Sequence, residues 1–438
     1  MRLDEMNWMQ VEHYLEKDDR RYDVLQLSGV DSYSGTAGAA HVFSENYLYT
    51  AEAFDLYLSR LTPNGIINMM RLEFDPPREM LRALITAVGA LRRAGVTRPA
   101  DHVAMVTARN RGFTALLVKK TPLTSEEVGR LSAWTGASPY FEASFLPGGG
   151  GPATNMYQAF LGLGSPAREQ AFVSEYPYDV SPALDNRPFF FSYALWWHLF
   201  PASPAIWASV PVMQYSVILL FGVIALVTLV CVFVPLRLLS RRGLQVSRRG
   251  RLATYFAGTG LGYLAIEIAL LQEFGLFLGH PNYSLSVVLA SLLFATGLGS
   301  LFSAHLRGWL GSVRFVSYAL AGVVLTLYGL VLGRLPALIG LPFTARAAIV
   351  FALVMPVGIL LGVFVPSALE QLKADAPQFI PWSWGINGIF SVMAPILAVA
   401  FSMTWGIRAL LLSAIPVYLV VGWTFPDAAA EPAPSHQG

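Results

Sequence analysis

Cysteine is almost missing: Cys231 is the only one in 438 residues. A single thiol excludes an intrachain disulfide and any Cys-based zinc cluster. Charge is scarce too, with Asp, Glu, Lys and Arg at 13%, about half the roughly 25% of soluble domains. The formal net charge is +2, which gives no basic footprint for a nucleic-acid partner. Met1 to Tyr22 is polar and charged and has no apolar core of a secretory signal. A Gly-rich turn is missing before Tyr22. An α/β cofactor enzyme normally opens with one, because its backbone N–H groups and the following helix dipole hold the ligand.

What is abundant is apolar: 54% hydrophobic residues and a mean hydropathy of +0.50. The scarce charges crowd the front, where 18 of 30 Lys and Arg and 22 of 28 Asp and Glu precede residue 201. A soluble-type front half and a lipid-type back half follow. Seven runs reach the roughly 20 residues a membrane helix needs, at 211–236, 252–278, 283–305, 314–335, 345–369, 381–403 and 405–425. The second and third form a hairpin around His280-Pro281-Asn282. Gly258 and Gly262 are a small-xxx-small pair, and Ser291, Ala295, Gly299 and Ser303 share one face, the pattern for close helix packing in lipid. Pro356 and Pro366 are expected to kink or break the fifth span.

The front half alternates strands and helices. Tyr22 to Leu27, Ile66 to Met70, Val103 to Thr107 and Phe113 to Lys119 read as strands, with Asn110-Arg111-Gly112 as a hairpin turn. Thr50 caps a helix to Leu61, Pro77 to Ala94 is an amphipathic helix, and Thr124 caps a helix from Ser125 to Trp134, with Gly136 as its stop. Short helical pieces follow at Met156 to Gly162 and Ala167 to Ser174. The pattern argues for a parallel α/β sheet closed by an antiparallel hairpin. With room for only one helix before Tyr22, it corresponds to the second half of a doubly wound domain. The aromatic run from Phe189 to Trp207 is expected to lie along the membrane interface.

These blocks carry a resemblance. Tyr22-Asp23-Val24-Leu25, the loop with Asp31, Phe43 to Thr50, Glu52-Ala53-Phe54 and Leu61 to Ile66 are similar to the central segment of spermidine synthases, the polyamine aminopropyltransferases. Asp185-Asn186-Arg187-Pro188-Phe189-Phe190-Phe191, Glu267 to Ser300 and Pro381 to Gly388 resemble the membrane-bound bacterial branch. The resemblance implies a partial Rossmann-like, methyltransferase-type domain followed by an all-α multi-span transmembrane bundle in a bacterial inner membrane. It also implies decarboxylated S-adenosylmethionine, or S-adenosylmethionine, as cofactor and a polyamine as substrate. Soluble members carry an Asp-Ser-Ser-Asp pattern whose first acid deprotonates the attacking amine, a step the chemistry requires. Here the two acid positions fall on Ser28 and Asp31, which leaves Asp31 as the catalytic candidate; the adenine-holding acid falls near Gln10. Ser28 is no carboxylate base, so the expectation is that this chain binds no adenosyl cofactor and transfers no aminopropyl group. Read without the resemblance, Asp31 is a turn-former in a Gly/Ser loop.

The expected domains are the half-domain at 1–120, a connector with an interfacial aromatic segment at 121–207, the bundle at 208–425 and a disordered tail at 426–438. Within the bundle, Glu267, Gln272, His280 and Asn387 are the candidate intramembrane polar site, for a polyamine or another small molecule. Carboxylates inside a span need a partner or a wet cavity. A structural hydrogen bond, with Asn387 as one donor, is the alternative role for Glu267. The six arginines from Arg237 to Arg251 place that loop in the cytoplasm. One crossing away, the front half is then outside, on the side without adenosyl metabolites. Three arrangements resolve this: an extra crossing within 189–207, a chain that is a fragment of a longer protein, or an outside domain that is no longer an enzyme. Three functions remain open: a membrane-anchored aminopropyltransferase-like protein, a transporter or binding component with a degenerate synthase-like domain, and a fragment without independent activity. The lipid bilayer is the one certain partner, and the oligomeric state is open.

Overall fold

The computed structural model describes residues 15, 20–28, 45–110, 112–149, 153–193 and 212–425. The chain divides into two units, Met1–Ser216 and Val217–Gly438.

The front unit is built on a mixed five-stranded sheet of order β1-β2-β4-β3-β5. The strands are β1 (Tyr22–Ser28), β2 (Leu61–Leu72), β3 (Val103–Ala108), β4 (Phe113–Lys119) and β5 (Phe141–Phe145). The four strands read from the sequence are all present. The expected parallel sheet is not: only β1 and β2 run parallel, with Ser28 opposite Met70. The short turn at Arg109 to Gly112 allows only an antiparallel return. β4 therefore inserts between β2 and β3, antiparallel to both. β5 adds the far edge; its exposed residues gave no apolar run to flag it.

Local chemistry sets the helix starts. The Thr50 hydroxyl accepts from the Ala53 amide at 3.2 Å, opening α1 (Ala51–Arg60). Thr124 and Glu127 form a reciprocal capping box for α3 (Ser125–Ala137), which runs through Gly136. Between them α2 (Glu79–Arg93) is amphipathic in sequence, as expected, yet buried on nearly every side, including Glu79, Arg82 and Thr86. Two short helices follow, α4 (Met156–Leu161) and α5 (Pro166–Glu175).

The expected connector at 121–207 belongs, as far as residue 193, to this unit. β5 pairs with β3, and Thr50 bridges Ala183. The Asn46 amide donates to the Pro188 carbonyl at 2.7 Å. Phe189, Phe190, Phe191 and Tyr193 are buried, with the Phe190 ring 4.6 Å from that of Tyr49. This part of the aromatic run fills a protein core and does not lie on a membrane surface; residues 194–207 fall outside the described residues.

The second unit is helical. Among the described residues seven helices are long and apolar enough to cross a membrane: Ile218–Leu239, Arg249–Leu278, Pro281–Leu301, Val313–Leu338, Phe343–Asp375, Pro377–Trp405 and Ile407–Thr424. The chain is thus a multi-pass membrane protein, and each expected span has its helix. The first is made of α6 (Val212–Thr228), a π turn and α7 (Val234–Leu239). Then come α8 (Arg249–Leu278), α9 (Pro281–Leu301), the short α10 (Ser303–Leu310), α11 (Val313–Thr326), α12 (Phe343–Asp375), α13 (Ile380–Trp405) and α14 (Ile407–Thr424). α12 runs unbroken through Pro356 and Pro366, so the expected break does not occur.

Arginines close helix ends on both sides of the bundle. Arg251 donates to the Phe425 carbonyl at 2.6 Å, just beyond α14. Arg346 donates to Phe277 near the end of α8. Both satisfy carbonyls that a helix terminus leaves without donors. The positive-inside rule predicts the side of the Arg241–Gln245 turn. In a Cys231→Ser background, a cysteine placed in 240–250 should resist an impermeant thiol reagent added to intact cells. Ready labelling from outside would reverse the orientation.

Candidate functional site

The expected intramembrane cluster is not one site. Asn387 donates to the Phe256 carbonyl at 3.3 Å and to Thr259 Oγ1 at 3.1 Å. Thr259 lies eight residues before Glu267, about 12 Å along the helix, so Asn387 ties α13 to α8 well away from that carboxylate. His280 is the cap of α9: its Nδ1 accepts from the Asn282 amide at 3.1 Å, and its ring packs on Tyr283. Gln272 is buried within α8. Glu267 is half-buried and makes no hydrogen bond or ion pair among the described residues. One turn before it on α8 stands Tyr263. Glu273 pairs with Arg408, 3.1 Å apart, joining α8 to α14. Asp31 lies outside the described residues.

The front unit holds the better-formed site. In open α/β sheets, ligands bind beyond the carboxyl ends of the strands. Glu73, the residue after β2, stands at that end, and the chain leaves β1 at the same edge. A cavity of about 410 Å³ opens there, within the size range of small-molecule sites. Glu73, Asp75 and Glu142 bring three carboxylates to its lining, with Thr107, Ser144, Asn155 and Tyr157 beside them.

Glu73 is held rigidly. The Tyr157 hydroxyl donates to it at 2.8 and 2.7 Å, and the Thr114 hydroxyl at 2.5 Å. Thr107 lies 2.8 Å from Thr114 and 2.5 Å from Ser144. A chain of hydroxyls therefore runs from β5 through β3 and β4 to the Glu73 carboxylate. Asn155 starts α4 by accepting from the Gln158 amide at 3.0 Å, and its Nδ2 donates to the Ser144 carbonyl at 2.9 Å. That pair of bonds fixes α4, and with it Tyr157, against β5. Burial, and then the neighbouring Glu73 carboxylate, push the Tyr157 hydroxyl's pKa far up, so it stays a donor. Glu142 also meets Arg109 at 3.2 Å on the exposed rim.

This arrangement presents carboxylate oxygens to the cavity and, among the described residues, no Lys or Arg lines it, which suits an ammonium or polyamine. Among the described residues no group of three or more His, Cys, Asp and Glu could hold a metal ion. Sequence reasoning passed over Glu73 because it falls between the strand ending near Met70 and the helix placed from Pro77. The usable signal was its position, the first acid after a strand of a parallel pair. No family model, no curated protein and no solved structure matches this chain.

Proposed function

We propose that this chain is an integral membrane protein resembling spermidine synthases, whose front unit binds a cationic amine without transferring an aminopropyl group to it. The observation that carries this reading is the cavity beyond β2, with Glu73 fixed by Tyr157 and Thr114 and with Asp75 and Glu142 at its walls. A fixed carboxylate recognises an ammonium by charge-assisted hydrogen bonds, about twice as strong as neutral ones. The parallel β1–β2 pair followed by an antiparallel return supports a methyltransferase-type half-domain. Ser28, where the resemblance would put the base, cannot take the proton from an ammonium. S-adenosylmethionine or its decarboxylated form enters only by resemblance, as does a bacterial inner membrane.

Calorimetry on the detergent-purified chain tests this. Spermidine should bind, and Glu73→Gln should weaken binding about tenfold or more, the order expected for losing a charged hydrogen bond of about 1.5–3 kcal/mol. Decarboxylated S-adenosylmethionine and putrescine should give no product above a heat-killed control. Absence of spermidine binding would overturn the amine reading, and product formation would restore the enzyme.

A second reading, a transport or binding component, draws on Glu267. Its half-buried carboxylate in a span, beside Tyr263, is a feature that intramembrane pathways use.

A further inference from the structure

A groove of about 780 Å³ runs along the bundle between α8, α9, α12 and α13. Its walls are apolar: Leu293 of α9, Leu361, Val365 and Leu369 of α12, and Ile380 of α13. Leu293 is 57% exposed and Trp384, at the rim, 56%, so the groove opens sideways to the bilayer. Gly297 leaves space in it, since a Cβ there would meet nothing within 4 Å; Gly362 also lines it. From Leu361 to Lys373 the groove follows α12 for twelve residues, about 18 Å. That is close to the depth of one leaflet, half of the roughly 40–45 Å bilayer with its headgroups.

The mouth is charged. Lys373 lines it and makes no ion pair among the described residues. Glu370 is matched by Arg307 at 3.1 Å. Asp375 accepts from Gln371 at 2.7 Å and does not line the groove. The turn carrying Arg241 and Arg242 packs on the start of α13: Trp382 Nε1 donates to the Ser240 carbonyl at 2.8 Å, and Gly243 lies against the Trp382 ring and the Gln378 carbonyl. Lys373 and Arg307 thus stand at the mouth against the single carboxylate of Glu370. This is also the side with the arginine-rich segment, where a membrane's anionic headgroups are attracted.

We propose that this groove seats one anionic phospholipid, its acyl chain along α12 and its phosphate at Lys373, beside Arg307. An apolar channel one leaflet deep fits the chain, and Lys373, left over once Arg307 matches Glu370, selects the headgroup. The proposal is independent of the amine site in the front unit.

Native mass spectrometry of the full chain tests it, with the protein released from detergent containing equimolar dioleoylphosphatidylglycerol and dioleoylphosphatidylcholine. One phosphatidylglycerol per chain should persist at collision energies that strip all other lipid. Gly297→Phe should abolish that retention, because the ring fills the groove where the backbone leaves room. Lys373→Glu should lower phosphatidylglycerol retention about tenfold, as expected from reversing a charge at the headgroup level, and leave phosphatidylcholine unchanged. Equal retention of both lipids by the wild type means annular lipid only and overturns the proposal, as does undiminished retention in a monodisperse Gly297→Phe protein. Should that variant aggregate, Lys373→Glu decides alone: unchanged phosphatidylglycerol retention overturns the proposal.

Discussion

Arg82→Met should loosen the front unit more than any other single change in it. Arg82 is almost fully buried, at 2% exposure, on α2. Its guanidinium donates to four backbone carbonyls, those of Asp179, Phe189, Phe190 and Ser192, and pairs with Asp179 Oδ2 at 3.4 Å. The fork of five donors thereby fastens a segment about a hundred residues away in sequence onto the helix. Removing it leaves buried acceptors unsatisfied and Asp179 without its nearer cation, a loss of about 3–5 kcal/mol for a broken buried pair. Hydrogen exchange across 179–193 in the full chain should then speed up by about a hundred- to a thousandfold. Arg82→Lys keeps the charge without the fork, so it should fall between. Wild-type protection in Arg82→Met would refute the clamp.

The same clamp sets a pH dependence. Burial pushes the Asp179 carboxyl up, but Arg82, Arg187 and bonds from Ser181 pull it down further, leaving it below its ordinary value. A carboxyl depressed in the folded state contributes stability that is complete above its unfolded pKa, roughly 3.9, and is lost as pH falls through the folded one. Protection of 179–193 should therefore hold at neutral pH and fail only in strong acid.

How much of this was legible depends on range. Thr50 and Thr124 announced their helices because a cap is a contact across three residues. The strands stood out because an apolar run needs no partner to be seen. Seven spans were readable because hydropathy over 20 residues is a local sum. Arg82 was not readable: within α2 an arginine looks like part of a solvated face, and what covers it arrives from residues 179–193. The same distance hid the burial of Phe189 to Tyr193, which an aromatic run beside a membrane half made look interfacial. β5 has five mostly exposed residues and exists only because β3 offers an edge. Glu73 was readable by position alone, since neither Tyr157 nor Thr114 is near it in sequence. In the bundle, Glu273 and Arg408 lie 135 residues apart, so each looked like a solitary charge until the fold joined them. Asn387 was rightly marked as a hydrogen-bonding residue between helices, but assigned to the wrong turn of α8.

The small-residue face of α9 was legible, and it yields the largest effect expected in the bundle. Gly299→Ala should destabilise the membrane unit, whereas Gly297→Ala, two residues away on the same helix, should not. A Cβ on Gly299 would fall onto the Ile359 carbonyl group of α12, 2.8 Å from its carbon and 2.9 Å from the Cα. These are backbone atoms and cannot swing aside as a side-chain end could. The partner helix is equally bare. A Cβ on Gly358 would meet Ala295 Cβ at 2.5 Å, and one on Gly362 would meet the Ser300 amide nitrogen at 2.8 Å. α9 and α12 are therefore in backbone contact over two turns, the packing that holds helices together where lipid removes the hydrophobic drive. One methyl must push the helices apart and forfeit dispersion contacts along the seam, since a gap of 0.5–1 Å already loses roughly a quarter to a half of each contact. Overpacking costs about 1–3 kcal/mol even where side chains can adjust, so Gly299→Val should exceed Gly299→Ala. Gly297 faces open space, and there alanine gains about 0.8–1 kcal/mol of helix propensity over glycine. Thermal unfolding in detergent should place Gly299→Val lowest, Gly299→Ala next, and Gly297→Ala at or above wild type. A Gly299→Ala protein as stable as Gly297→Ala would mean that α9 and α12 do not meet through their backbones.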